Sequence, residues 1–218
     1  MKCARTSLLA AAIMFLLAAC GGPTLYTSPK FDSYRQNHKL ICILPLKVTI
    51  DPHKLPKDYT MEMAQKAESE EGYNMQRELY TRFLNRQQKG EYTIDFQDID
   101  KTNALLTKAG VPYEKMADMT KEEICKIVGT DAAISGSIYR ERPMSTGLAV
   151  GLGLLLGVWG NTNKVNVTIA IHEGGSGELV WQYDHEASGS VGSSAEKMAE
   201  SLVKNVSKKF PYKKAVQP

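Results

Sequence analysis

The 218-residue sequence has few cysteines and little net charge, and these shortages exclude several classes of protein. Its four cysteines are too few and too widely spaced for a zinc site built on cysteine ligands. With 27 basic and 24 acidic side chains, its formal net charge is only +3, whereas a general nucleic-acid binder carries a strong basic excess. The composition, 43% hydrophobic and 23% charged, also excludes collagen-like, low-complexity and multi-span membrane classes.

The sequence also lacks the motifs of common catalytic and nucleotide-binding sites. Gly151 and Gly153 lie in a glycine-rich stretch, but no strand leads directly into it and no Gly-Lys-Ser/Thr follows. No Gly-x-Ser-x-Gly motif marks a nucleophilic serine. His172 and His185, each followed by a glutamate, could face each other across a hairpin, but a metal site needs a third ligand. We therefore expect no enzyme activity, catalytic residue, metal, cofactor or small-molecule substrate.

The first nineteen residues predict an export signal. Lys2 and Arg5 form a short positive region, and residues 8–19 are apolar or small. A permanent membrane helix needs about 20 apolar residues, so this shorter run is typical of the apolar part of a secretory signal.

This signal ends in a tetrapeptide that resembles the bacterial lipoprotein box, Leu17-Ala18-Ala19-Cys20. In such a box the first three residues are recognised by the signal peptidase, and the cysteine receives a diacylglycerol before cleavage. The new amine is then acylated, typically with palmitate, and each buried methylene adds about 0.8 kcal/mol of membrane affinity. Because Gly21 rather than aspartate follows, we expect attachment to the outer membrane, facing the periplasm, with surface exposure still open. The alternative is a plain signal peptide with an accidental cysteine.

Two cysteines, Cys42 and Cys125, would remain as thiols in the mature chain. An exported protein can join such a pair in a disulfide, but their spacing does not show whether it does. Both lie in apolar segments, which favours two buried free thiols.

The rest of the chain divides into a tether, one domain and a tail. Residues 20–38 contain glycines, prolines and hydroxyl residues and are interpreted as a lipid-anchored tether. Residues 39–212 form the predicted periplasmic domain, and residues 213–218 a C-terminal tail. Strands are predicted at residues 40–44, 92–96 and 132–139 and as a hairpin over 165–183, and helices at residues 74–89, 101–109, 121–128 and 195–210.

These elements predict an α/β fold with a single mixed β-sheet covered by helices. Pro45 should interrupt the first strand, because proline cannot donate to a strand ladder. Residues 49–72 are polar and predict a loop leading into the first long helix. The capping box that begins at Thr120, and Gly129 after it, predict the ends of the helix at 121–128.

Five short segments resemble bacterial lipoproteins of the GNA type. They are residues 31–35, 41–45, 109–112, 127–134 and 177–181, and their order over roughly residues 30–205 carries the resemblance. The same core is shared more distantly with curli-secretion channel lipoproteins (CsgG-like), activators of peptidoglycan synthases and the N-terminal domain of TolB. The resemblance implies an anticodon-binding-domain-like fold that works by assembly and protein contact rather than catalysis.

An uncharged insertion at residues 144–163 departs from that resemblance. Its five glycines within residues 147–160 disfavour a soluble helix, since each costs about 1 kcal/mol relative to alanine. Three interpretations remain open: a buried connection on the chain's own sheet, an exposed flap that contacts a partner or another copy, and a segment that enters a membrane. The candidate contact residues are Leu148, Leu152, Leu154, Leu155, Leu156 and Trp159.

The function expected from these features is that of an outer-membrane-anchored lipoprotein. Its periplasmic domain would scaffold or regulate an envelope complex for secretion or cell-wall assembly, with envelope proteins or other copies of itself as partners. The alternative is a membrane-active oligomer that forms part of a secretion channel. Curli channels take two hairpins from each subunit, whereas this chain has one apolar segment, which argues against a pore of its own. An envelope hydrolase would require an exposed His, Ser and Asp cluster.

Overall fold

A computed structural model describes residues 24–55, 57–140, 165–187, 195–206 and 208–214. Within these ranges, one seven-stranded mixed sheet has helices packed against it, which confirms the predicted α/β fold. The strands are β1 Thr24–Thr27, β2 Leu40–Ile43, β3 Lys47–Ile50, β4 Asp95–Phe96, β5 Ala132–Arg140, β6 Val165–Glu173 and β7 Leu179–Ala187. The helices are α1 Phe31–Arg35, α2 Met61–Gln88, α3 Ile99–Lys108, α4 Lys121–Val128 and α5 Ala195–Val206, and short 3-10 helices span Pro52–Lys54 and Tyr113–Ala117.

The strand order is β1-β7-β6-β5-β2-β4, and β3 pairs with β5 beyond the end of β2. The long central strand β5 therefore has two parallel partners in succession, with a break between them at Pro45. At this break Leu44 N still donates to Ile134 O at 2.9 Å, but Leu46 N turns to Gly72 O on α2, at 3.3 Å. The sheet is thus interrupted where the proline predicts.

The antiparallel half of the sheet is built from β5, β6, β7 and β1. β6 pairs with β5 along its whole length, from Arg140↔Val165 at one end to Ala132↔Glu173 at the other. β6 and β7 form the predicted hairpin, with an irregularity in register between Ile171 and His172. This half of the sheet is continuous, so residues at its two ends are held by a rigid ladder.

Helices cover both faces of the sheet. Successive side chains of a strand point in opposite directions, so a single strand contributes to the core on each face. Ile41 and Ile43 of β2 lie in the larger core, with α2 and α5. Cys42 and Leu44 lie in a smaller core, with α3 and α4. The largest side chains that are fully buried are Trp181, Tyr212, Phe83, Ile41, Ile43, Leu46, Met75 and Leu79.

The described part of the predicted tether, from residue 24 onward, packs on the domain. β1 lies antiparallel to β7, with Thr24 opposite Asp184. Phe31 of α1 is buried and meets the ring of Tyr212 edge-on, with centroids 5.4 Å apart. The sequence pattern did not indicate this strand, because all of its residues are exposed and it has no hydrophobic alternation.

Two helices begin earlier than the sequence predicts. α2 starts at Met61, inside the region interpreted as a loop, and the side chain of Thr60 caps it by accepting from Met63 N at 3.2 Å. Its first turns are largely exposed, Met61 and Met63 included, so hydrophobic periodicity could not indicate them. α3 is capped by Asp98 rather than Asp100. By contrast, α4 has the predicted bounds and the predicted capping box.

Candidate functional site

The residues predicted to form functional sites lie outside the described ranges. The lipoprotein box, Leu17, Ala18, Ala19 and Cys20, precedes β1, and three residues separate Cys20 from the first described residue, Thr24. The apolar contact residues lie in the undescribed connection between β5 and β6: Leu148, Leu152, Leu154, Leu155, Leu156 and Trp159. Lipidation and contact by these residues therefore stay predictions.

The described strands nevertheless show where both segments join the fold. Arg140 and Val165 are direct partners in the β5–β6 ladder, so the connection leaves and re-enters the sheet at adjacent points. Because β1 is antiparallel to β7, its N-terminal end at Thr24 is directed towards this same end of the sheet. The lipoprotein box and the apolar insertion are thus attached to one end of the domain.

β1 gives this region an exposed edge. Among the described strands it pairs only with β7, so its outer backbone groups face away from the sheet. Its two apolar side chains, Leu25 and Tyr26, are 42% and 44% exposed. An open edge with exposed apolar side chains is a surface on which another chain can add a strand.

A cavity of about 430 Å³ lies at the opposite end, beside the starts of β2 and β5. Among its lining residues, His38 is only 3% exposed, and its Nδ1 is 2.5 Å from Tyr212 Oη. Burial raises the pKa of Tyr212, so the phenol stays protonated and donates a hydrogen bond to Nδ1. Nε2 of His38 has no hydrogen-bond partner among the described residues. Burial lowers the pKa of His38, so the imidazole is neutral near pH 7.

Two acidic residues that line this cavity, Asp131 and Glu173, hold the backbone around it. Asp131 Oδ2 accepts from Lys39 N at 2.7 Å and from Leu40 N at 2.8 Å. Glu173 Oε2 accepts from Ser176 N at 2.6 Å and Ser176 Oγ at 2.7 Å. Among the residues described, no three of His, Cys, Asp or Glu are arranged to hold a metal ion.

Cys42 and Cys125 lie in the same small core between the sheet and α4. Both are free and at most 1% exposed, as the apolar surroundings predict. The hydrogen bond with Cys125, together with burial, raises the pKa of Cys42, and the same bond lowers the pKa of Cys125. Thr130 Oγ1 donates to Cys42 Sγ at 3.4 Å. Cys125 also lines the cavity described above.

A serine and a histidine meet on the same face of the sheet. Ser135 Oγ is 3.3 Å from His172 Nδ1, and His172 is joined in register to Cys42 through Ala133. Burial, and then the positive charge of Lys121, lower the pKa of His172 to about 4. Among the described residues no carboxylate bonds to this histidine, so the pair lacks the third member of a hydrolase triad.

These juxtapositions were outside the reach of the sequence interpretation. Only the docking of α4 on β2 brings Cys42 and Cys125 into the same small core. His38 lies in the predicted tether, and no feature of the neighbouring sequence indicates that it is buried. The sequence gives one weak indication that the two cysteines are buried, namely that each lies in an apolar segment.

In the part of the chain that the structure describes, no helix has both the length and the apolar character needed to cross a membrane.

Several solved structures are similar to this chain, all at low sequence identity. Lipoprotein GNA1162 from Neisseria meningitidis is 13% identical, with a TM-score of 0.44 over 79% of this chain and 97% of its own. The PelC dodecamer from Paraburkholderia phytofirmans is 14% identical, with a TM-score of 0.41 over 85% and 93%. The LpoB C-terminal domain from Salmonella enterica is 7% identical, with a TM-score of 0.35 over 69% and 83%.

No protein-family model matches the sequence, and no match to it is found among curated proteins. Similarity as remote as that of the three structures defines neither a family nor a function.

Proposed function

We propose that this chain is an envelope lipoprotein, anchored in the outer membrane by lipid on Cys20 and carrying a periplasmic protein-interaction domain. The observation that carries the proposal is the box of Leu17, Ala18, Ala19 and Cys20 at the end of an apolar signal. Its position supports the same interpretation, because the first strand of the folded domain begins at Thr24, directly after it.

The short link between lipid and fold determines how the domain would sit. Four Cα–Cα steps from Cys20 to Thr24 reach at most about 14 Å, so the domain would rest on the bilayer surface. The end of the sheet that carries Arg140 and Val165 would be the end nearest the membrane. Leu25 and Tyr26, exposed on β1, would lie close to that surface.

We propose a scaffolding or regulatory role in an envelope complex for secretion or cell-wall assembly, without catalysis. The surfaces offered to a partner are the open edge of β1 and the apolar residues 148–159. The partner would be an envelope protein or another copy of the chain.

A second candidate is a membrane-active oligomer that forms part of a secretion channel. The feature that favours it is the uncharged stretch of residues 144–163, attached at the same end of the sheet as the lipid. In this case several chains would each contribute that stretch to a bilayer.

Metabolic labelling with palmitate tests the anchor. The wild-type chain should incorporate label and Cys20→Ala should incorporate none, because the thiol is the acceptor of the diacylglycerol. Cys3→Ala is the matched control, since it changes a cysteine within the same signal and leaves the box intact. Continued labelling of Cys20→Ala would contradict the proposal.

Light scattering on the mature chain, with and without mild detergent, separates the two candidates. A monomer under both conditions favours an adaptor and leads to a search for its partner. A closed oligomer that forms with detergent favours the channel.

A further inference from the structure

The antiparallel half of the sheet has a polar face that is open to solvent within the described ranges. On one side of β5, β6 and β7, the side chains are buried in the larger core with α2 and α5. On the other side, α3 and α4 pack over β2 and the start of β5, where Cys42 and Ala133 are buried. Beyond them the side chains of that side are polar and mostly exposed or half-buried, among them Ser137, Tyr139, Asn166, Thr168, Gln182 and Asp184.

We propose that this open face binds an extended, uncharged sugar chain. The inference goes beyond the proposed function and does not depend on a lipid at Cys20. It rests on the position of two exposed tyrosines, on a fixed group of hydrogen-bonding side chains between them, and on the charges of the face.

Tyr26 and Tyr139 lie at two opposite corners of the open face. Tyr26 is 44% exposed and Tyr139 is 42% exposed. Tyr26 of β1 lies in one row across the sheet with Gln182 and Ser135, and Tyr139 lies four residues after Ser135 on β5. With strands about 4.8 Å apart and a rise of about 3.3 Å per residue, their Cα atoms are roughly 20 Å apart. A chain of several sugar units can therefore contact both rings.

Three polar side chains lie between the tyrosines and fix one another. Thr168 Oγ1 donates to Asp184 Oδ1 at 2.6 Å, and Gln182 Nε2 donates to Asp184 Oδ2 at 2.8 Å. A carboxylate has about four acceptor sites, so the half-buried Asp184 can also accept from sugar hydroxyls. The middle of the face thus offers hydrogen-bonding groups that are already held in place.

The distribution of charge and aromatic rings favours a sugar chain over a protein or a nucleic acid. The centre of a protein interface is enriched in aromatic side chains and depleted in charge, whereas here Asp184 is central and Tyr26 and Tyr139 are marginal. The carboxylates of Asp184 and Glu186 repel a polyanion such as a nucleic acid, and Lys47 lies three strands away. An uncharged sugar needs no counter-charge, because its hydroxyls bind polar groups and its apolar ring faces pack on tyrosine.

Isothermal titration calorimetry on the mature full chain, held in a detergent without a sugar headgroup, tests the proposal. The probes are three uncharged tetrasaccharides, namely cellotetraose, maltotetraose and chitotetraose, and dextran sulfate as a polyanionic control. We expect saturable binding of at least one tetrasaccharide and no binding of dextran sulfate. Absence of binding by all three tetrasaccharides, or binding of dextran sulfate alone, would overturn the proposal.

Variants of the two tyrosines test where the sugar binds. Tyr26→Ala and Tyr139→Ala should each weaken binding roughly three- to tenfold, and Tyr26→Phe should retain it, because packing on a sugar uses the face of the ring. Leu25→Ala is the matched control, since Leu25 is the neighbouring residue of β1, is 42% exposed and points to the other side of the sheet. Unchanged affinity in both alanine variants would overturn the assignment of this face.

Two further measurements keep the result independent of folding and of the anchor. Urea unfolding shows whether each variant is folded, and Asp184→Asn, which keeps the size of the side chain and removes its charge, should also weaken binding. The Cys20→Ala chain should bind the same tetrasaccharide as the wild type. A palmitate-labelled chain that binds no tetrasaccharide overturns this inference alone, whereas an unlabelled chain that binds overturns the anchor and supports the sugar site.

Discussion

Arg140 and Glu71 form an ion pair inside the protein, with Arg140 Nε 2.5 Å from Glu71 Oε1. Each side chain is only 5% exposed, although both carry charge. The pair joins the last residue of β5 to α2, at the end of the sheet where the apolar insertion begins. Burial raises the pKa of Glu71 in spite of the nearby guanidinium, which shows how costly the desolvation of this carboxylate is.

Replacing Glu71 with alanine should strongly destabilise the fold. The substitution removes the Glu71 carboxylate from the buried ion pair, and breaking such a pair typically costs about 3–5 kcal/mol. Urea unfolding at neutral pH measures the loss. Glu70→Ala is the matched control, because its pair with Lys66 is 4.0 Å long and both side chains are more than half exposed. That control should cost less than about 1 kcal/mol, and an equal loss in both variants would contradict the expectation.

Gly136→Ala should destabilise the centre of the sheet. A Cβ at this position would lie 2.5 Å from the backbone carbonyl oxygen of Thr168 and 3.2 Å from Leu46 Cγ, and the carbonyl cannot move without breaking the β5–β6 ladder. We expect a loss of about 2 kcal/mol or more, measured by urea unfolding. Gly175→Ala serves as control, since its Cβ would meet only the flexible end of Glu173, at 3.3 Å. Equal stability of the two variants would show that the ladder can yield.

The stability of the protein should depend on pH through His172. Its folded-state pKa of about 4 lies below the ordinary value of 6.5, because burial and Lys121 disfavour the charged imidazole. The unfolded chain therefore binds more protons between these pH values, and stability falls as the pH is lowered through this window. With allowance for partial exposure, we expect His172 to account for about 1–2 kcal/mol of that fall.

Thermal unfolding at several pH values between 4 and 7 checks this expectation for His172. In His172→Gln the pH dependence should be smaller than in the wild type, while His185→Gln, on the adjacent strand β7, should keep it. A profile for His172→Gln parallel to that of the wild type would assign the dependence to other groups, among them His38.

If residues 147–160 form an exposed contact flap, their removal should leave a folded domain. Arg140 and Val165 are direct partners, and the residues that remain between them exceed the roughly two to five that close a β-hairpin. We expect cooperative unfolding with a change in stability of less than about 0.5 kcal/mol, and reduced association with partners or other copies. Loss of cooperative unfolding would instead place the insertion in the core. A Gly/Ser segment of equal length is the control for chain connectivity.

Elements with strong local signals were predicted well. The capping box of Thr120 and Glu123, with Gly129 at φ +70°, determines both ends of α4 through contacts within a few residues. The β6–β7 hairpin was equally clear, because apolar and polar side chains alternate around a glycine-rich turn. The first turns of α2 and the whole of β1 were missed, since neither has an apolar pattern.

The sequence by itself determined the class of fold, the bounds of α4 and the expectation of a lipid anchor at Cys20, because capping, periodicity and the signal are each written in neighbouring residues. Only the tertiary structure decided that residues 24–38 pack on the sheet, that Cys42 and Cys125 share one small core and that Arg140 meets Glu71. These contacts join residues far apart in the chain. They depend on how helices dock on the two faces of the sheet, and no local pattern of side chains records that docking.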